Sequence, residues 1–251
     1  MRPNASLALL GALALAGCAS TYQWGWYVVL PTTPQGRTNL DFMLQGLGWT
    51  IGLSLTAMAI SIPLGLAVAL PGLGRSRWGR AFNRTYVETI RSVPILVLLL
   101  WVYYGLPVVL GINLGAFSAG VLALALSDSA FEAEIFRGGI QSIARGQHEA
   151  AEALGLGAWD KMRWVILPQA IRRMLPPLGN QFVYMLKMSS LCSVIGLTEL
   201  TRKANELVVS LYRPLEIYTF LVLEYLILIL IVSWLVRRLE RRLGAAEQMG
   251  R

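Results

Sequence analysis

Asp128 and Glu132 stand four residues apart in a stretch, 115–133, that holds no other charge. On a helix that spacing puts both carboxylates on one face, about 6 Å apart. A second apolar stretch holds one charge, Lys187, with Gln181, Ser189 and Ser190 beside it. Carboxylates accept from an ammonium, and the lysine and polar side chains donate to a carboxylate. Together they have the groups a zwitterion requires. The same residues also suit a blander role, mutual charge pairing that holds helices together, because buried ions are generally paired. Either way the charges carry meaning, since an ion at mid-bilayer costs about 3 kcal/mol or more. Arg91 lies nearer the end of its run, where it can snorkel or pair with Glu88.

A different chemistry is written in the polar stretch that begins Gly146-Gln147-His148-Glu149-Ala150-Ala151-Glu152-Ala153-Leu154-Gly155. Residues 147–154 read as a short helix whose alanines let another surface approach closely. Gly155 suits a left-handed helix stop. Leu167-Pro168 then breaks or starts the next segment. Such a helix is a natural docking knob between membrane spans, or it lies along the membrane surface and contacts nothing.

Other chemistries lack their parts. The chain has one histidine, His148, and two widely separated cysteines, Cys18 and Cys192, which excludes zinc modules and disulfide scaffolds. No Gly-x-x-x-x-Gly-Lys-Ser/Thr phosphate loop and no Gly-x-Ser-x-Gly elbow occurs, so the expectation is no catalytic residue, no metal and no nucleotide bound by this chain.

The elements that must position these residues are membrane helices. The 251 residues are 55% hydrophobic and 14% charged, against roughly 25% charged in a soluble domain. Five apolar runs, 44–70, 86–110, 115–136, 175–197 and 215–236, reach the roughly 20 residues a bilayer needs. Backbone groups in lipid must be satisfied internally, so the expected form is helical. The polar segments set orientation. Arg75, Arg77, Arg80 and Arg84 fill one loop; Arg137, Arg145, Lys161, Arg163, Arg172 and Arg173 fill another; Arg237, Arg238, Arg241, Arg242 and Arg251 fill the tail. With Arg2 these are 16 of the 22 basic residues. An excess of Lys and Arg marks the cytoplasmic side. The runs then start outside near residue 44 and end inside, with a cytoplasmic carboxyl terminus. The net charge of +8 therefore reads as a topology signal and not as a nucleic-acid surface.

The amino terminus has two readings. A short apolar run over 7–16 followed by Leu15-Ala16-Gly17-Cys18 looks like a signal core with a bacterial lipoprotein cleavage box, Cys18 being the lipidated residue. Alternatively it is a short first helix extended through Trp24, Trp26, Tyr27 and Val28, aromatics that suit a membrane interface.

Several motifs in order carry a family resemblance. Glu149-Ala150-Ala151, Gly155, Val165 and Leu167-Pro168 have the spacing of the Glu-Ala-Ala loop of bacterial ABC-importer permeases. Tyr86-Val87-Glu88, Arg91, Val93-Pro94 and Tyr104-Gly105-Leu106-Pro107 resemble a second region of the polar amino-acid permeases. So does the run from Ala133-Glu134 through Gly146-Gln147. The resemblance covers about residues 42–240. Two departures stand out: acids at 128 and 132, where the family commonly has a small and an apolar residue, and Arg91-Ser92-Val93-Pro94 in place of Arg-Gly-Thr-Pro.

The resemblance implies an all-α, polytopic fold with a five-helix permease core (42–240) that includes a coupling loop (about 137–173); outside it lie an extra signal-like or membrane amino-terminal apolar segment (1–41) and a cytoplasmic tail (241–251). It implies an inner-membrane subunit that pairs with an identical or related permease. Two cytoplasmic ATPase subunits would hold ATP and Mg, and an external binding protein would deliver a polar amino acid. Glu149, Ala150, Ala151, Gly155, Leu167 and Pro168 would couple to the ATPase. Asp128, Glu132, Gln181, Lys187, Ser189 and Ser190 would meet the substrate. The unusual acid pair points to a cationic amino acid unless Lys187 or a second subunit neutralises it. The rival readings are a proton-coupled secondary transporter, with Asp128 and Glu132 as proton sites, and an intramembrane enzyme or channel.

Overall fold

A computed structural model describes residues 22–74 and 76–248, with side chains as far as residue 241. Cys18 and its cleavage box lie outside the described residues. The described chain is helical, with no strands among those residues. We number the helices α1 (Pro34–Leu73), α2 (Arg77–Ser92), α3 (Ile95–Leu110), α4 (Ala116–Gln141), α5 (Arg145–Ala153), α6 (Ala158–Ile195), α7 (Leu200–Leu211) and α8 (Pro214–Gln248). Helices α1, α4 and α8 are each long and apolar enough to cross a membrane. The bent pairs α2–α3 and α6–α7 bring the total to five if each is one span.

Capping chemistry starts α1 early. Thr33 Oγ1 accepts from the Gly36 amide at 3.0 Å and Pro34 occupies the first turn. Residues 34–41 are therefore helix and not part of an amino-terminal stretch. Among the described residues, Trp24 and Trp26 precede this cap only with a 3₁₀ turn, Trp26–Val28. The expected longer first helix is absent there.

The run 86–110 is not one straight span. Pro94 forces Val93 into an extended conformation, φ −87° and ψ 122°, and the two legs meet at 93°. Two further prolines leave a softer mark. Pro107 and Pro168 each follow a π-helical stretch, Trp101–Gly105 and Lys161–Ile166. A proline lacks the N–H for the i−4 carbonyl, so the turn before it widens.

The expected long loop over 137–173 is itself mostly helix, made of the end of α4, α5 and the start of α6. The stretch 198–214, which follows the fourth apolar run and falls outside in the topology that the basic loops set, contains α7, capped by Glu199, which accepts from the Thr201 and Arg202 amides at 2.9 and 2.7 Å. Gly196, at φ 86°, turns the chain before it.

Helices α1 and α4 form the most extensive pair. Small residues allow the approach: Ala57, Ala69, Ala119, Ala123, Ala130 and Ala133 are fully buried. At Gly65 an added Cβ would meet the Glu132 Cβ at 2.8 Å and the Ser129 carbonyl at 2.9 Å. Beyond this pair, Leu53, Leu124, Met185 and Ile195 join α1, α4 and α6 into one apolar cluster. Met43, Leu186, Leu200 and Ile217 join α1, α6, α7 and α8 into another.

Candidate functional site

The α1–α4 contact and the adjoining face of α6 position the acid pair. Asp128 and Glu132 lie on one face of α4, as their spacing requires, and both are buried. Glu132 is sealed between α4 and α1, its Oε1 accepting from Ser61 Oγ at 3.0 Å. Asp128 is a turn away, at a cleft that is closed in this structure, too narrow to admit a water molecule, between Ile95, Leu124, Ser127, Tyr184, Met185 and Met188. Its Oδ1 accepts from Gln181 Nε2 of α6. The second oxygens, Asp128 Oδ2 and Glu132 Oε2, have no hydrogen-bond partner among the described residues.

Lys187 is not part of this group. It is exposed and, with Ser190, faces a groove of about 460 Å³ against Val222, Tyr225, Leu226 and Ile229 of α8. Six residues separate Gln181 from Lys187, which turns the lysine to another face of the helix. None of the ion pairs among the described residues reaches Asp128 or Glu132. Pairing of the acids with Lys187 is thus excluded within the chain. Ser189 and Ser190 donate to their own helix, to the Leu186 and Lys187 carbonyls at 2.8 and 2.7 Å.

Arg91 also differs from expectation. Glu88 pairs with Arg84 at 2.8 Å, while the Arg91 guanidinium lies over the Phe131 ring, 4.8 Å from its centroid. Sequence reasoning missed Ser61, which lies 71 residues before Glu132 in an uncharged run and gave no signal of its own.

The second candidate feature is α5 together with the turn that joins it to α6. The helix begins two residues before the expected start and ends in a Schellman motif. The Leu156 amide donates to Ala151 O at 3.1 Å and the Gly155 amide to Glu152 O at 2.9 Å, with Gly155 at φ 74°. Ala151 faces inward and is buried; Glu149 and Ala150 face outward. Glu149 pairs with Arg145 at 3.1 Å along the helix surface. Lys161 closes the turn after α5 on Glu152 at 2.5 Å and holds that carboxyl below the usual carboxylate range. Gln169 ties the start of α6 back to α5 through Gln147, at 3.1 Å. Leu167 and Pro168 are exposed but lie inside α6, so Pro168 neither breaks nor starts a helix as expected; it only follows the widened π turn.

The knob also carries residues that the motif does not name. Leu154 is 80% and Trp159 is 72% exposed. Both stand largely uncovered on the helical loop that Lys161 and Gln169 tie back to α5.

Residues 61–245 match the family described as binding-protein-dependent transport system inner membrane component. The chain is 38% identical over 225 residues to the glutamine transport system permease protein of Escherichia coli (strain K12), covering 88% of this chain and 98% of that protein. It is 34% identical over 215 residues to the arginine transport system permease protein of Bacillus subtilis (strain 168), covering 84% and 95%. Among solved structures it resembles an amino acid ABC transporter crystallised with histidines. That match has TM-score 0.78 and 41% identity, and covers 82% of this chain and 96% of that one. An inward-facing methionine ABC transporter shares the fold, with TM-score 0.70 and 20% identity over 81% and 97% of the two chains.

Proposed function

The chain belongs to the binding-protein-dependent transport system inner membrane components, and on that premise we propose that it forms the translocation path for a polar amino acid, with Asp128 as the acceptor for the substrate's ammonium. Members of this family are inner-membrane transport subunits that work with a separate ATPase and a substrate-binding protein. That membership favours ATP-driven import over proton-coupled transport.

The observation that carries the substrate reading is the acid pair without a cation. Two buried carboxylates share one face, each with an oxygen that lacks a hydrogen-bond partner, and no lysine or arginine of the described chain pairs with them. In low dielectric such a pair favours a partner that brings positive charge. A cationic amino acid supplies it twice, through its α-ammonium and its side chain. Gln181 holds Asp128 toward the cleft, and Ser61 holds Glu132 behind it. The glutamine and arginine relatives support amino acids as the substrate class.

The rest of the assembly fits the same reading. A second permease, identical or related, completes the path. The carboxyl terminus lies in the cytoplasm with the arginine-rich ends of the helices. There α5 docks on one subunit of an ATPase pair, which binds the ATP and Mg. The exposed Leu154, Trp159 and Ala150, the helix stop at Gly155 and the exposed Leu167 and Pro168 of α6 form the docking surface. ATP binding closes the ATPase pair, the docked helices move with it, and the bundle switches the side to which the cleft opens.

Uptake by the reconstituted assembly, measured with arginine, lysine, glutamine and glutamate, tests the substrate assignment. Wild type should prefer the cations, and Asp128→Asn/Glu132→Gln should lose that preference. Equal uptake of glutamate and arginine by wild type would refute it.

A further inference from the structure

A cavity of about 380 Å³ opens between α1, α2 and α4, at the end of the bundle from which α5 leaves. Its lining is strongly cationic: Arg80, Arg84, Arg91 and Arg137 face two acids, Glu88 and Glu134. Arg84 is matched by Glu88 at 2.8 Å, and Arg137 grips Glu134 with two bonds, at 3.1 and 2.9 Å. The formal balance leaves an excess of two positive charges. None of this belongs to the acid cleft or to the docking helix.

The cavity is held open by fixed contacts. Asn83, buried, donates to the Val68 carbonyl at 2.9 Å and so ties α2 to the end of α1. Gly72 forms part of the wall because a Cβ there would meet the Asn83 Cγ at 2.7 Å. Gly79 lets α2 lie against the Pro71 carbonyl, which its Cβ would meet at 2.7 Å. Tyr86 joins α2 to α4 through Ser129 at 2.8 Å. Arg91 is held over Phe131, and Arg80 donates to the Gly74 carbonyl at 3.1 Å.

Helix α2 also says where this cavity lies. It carries its arginines on one stripe and Trp78 and Phe82 on another, 87% and 55% exposed. Gly79 against Pro71 and Asn83 against Val68 set the first half of α2 beside the end of α1, at the arginine-rich end of the bundle where headgroups lie, while Tyr86 and Arg91 carry its second half to Ser129 and Phe131 of α4. A helix with aromatics on one face and arginines on the other is an interfacial element. A basic cavity between helices at that level meets headgroups, and the guanidinium fork matches the oxygens of a phosphate.

We propose that this cavity binds the phosphate of an anionic phospholipid headgroup, with Trp78 and Phe82 set among the acyl chains beside it. A free phosphate offers the same oxygens, but the aromatic stripe serves only a ligand that has a lipid tail. Arg137 lies on the last turns of α4, just before α5, so an occupied cavity braces the helix that leads into the docking loop.

The test is native mass spectrometry of the full-length permease in detergent, titrated with phosphatidylglycerol or phosphatidylcholine. Wild type should bind phosphatidylglycerol preferentially. Arg80→Gln/Arg91→Gln should weaken that binding about 25-fold, about fivefold for each arginine. Arg77→Gln/Arg163→Gln, the same charge change outside the cavity, should leave it intact. If the cavity pair is not recovered folded, Arg91→Gln alone carries the test, with about a fivefold loss expected. No headgroup preference in wild type, equal loss in both double variants, or displacement of the lipid by millimolar inorganic phosphate would overturn the proposal.

Discussion

Replacing Gly155 perturbs the end of α5, the helix proposed to dock on the ATPase, through one backbone torsion. The residue sits at φ 74° and an added Cβ would meet nothing within 4 Å, so a side chain there strains the backbone and clashes with nothing. A residue with a Cβ pays about 1–2 kcal/mol in the left-handed region, and asparagine pays less. A β-branched residue is the worst fit. At about 1.4 kcal/mol per factor of ten, Gly155→Ala should depopulate the capped end of α5 about five- to thirtyfold. The two Schellman bonds, Leu156 to Ala151 and Gly155 to Glu152, would go with it. The exposed turn contributes little to the core, so thermal stability should hardly move. The assay is ATP hydrolysis stimulated by the substrate-loaded binding protein in proteoliposomes. Stimulation should fall in the order Gly, Asn, Ala, Val. Full stimulation with Gly155→Val, or an asparagine variant as impaired as valine, would refute the reasoning.

Two further substitutions separate coupling from packing. Glu149→Lys removes only an exposed pair with Arg145, so the protein should fold and insert normally while stimulated ATP hydrolysis is lost; normal stimulation would remove Glu149 from the docking surface. Gly65→Val drives a side chain into the Glu132 Cβ and the Ser129 carbonyl and should cost about 1–3 kcal/mol, lowering the melting temperature, whereas Gly48→Ala, with nothing within 4 Å, should not.

Hydropathy made the spans legible because a bilayer demands a length of apolar helix. The Glu-Ala-Ala spacing made helix α5 legible down to Gly155, whose lack of a Cβ lets it take the positive φ of the helix stop. What escaped depends on angle and not on composition. Val93-Pro94 stood in plain view, yet a hydropathy run carries no torsions, so the break between α2 and α3 went unread. Lys187 was grouped with Gln181 by nearness in sequence, but helical rotation separates them. Ser61 reaches Glu132 only through the α1–α4 contact, which no local pattern announces. Helix α7 was missed because residues 198–214 mix polar and apolar positions too evenly to show a span. Leu154 and Trp159 became visible as a knob only once the loop was seen to leave them uncovered.

Transport energetics test the central claim most directly. The permease is reconstituted in proteoliposomes with its ATPase and binding protein, and uptake of radiolabelled arginine is followed with and without ATP. Uptake should require hydrolysable ATP and the binding protein, and should persist when an ionophore collapses the proton gradient. Uptake driven by an imposed proton gradient in the absence of ATP would contradict the account.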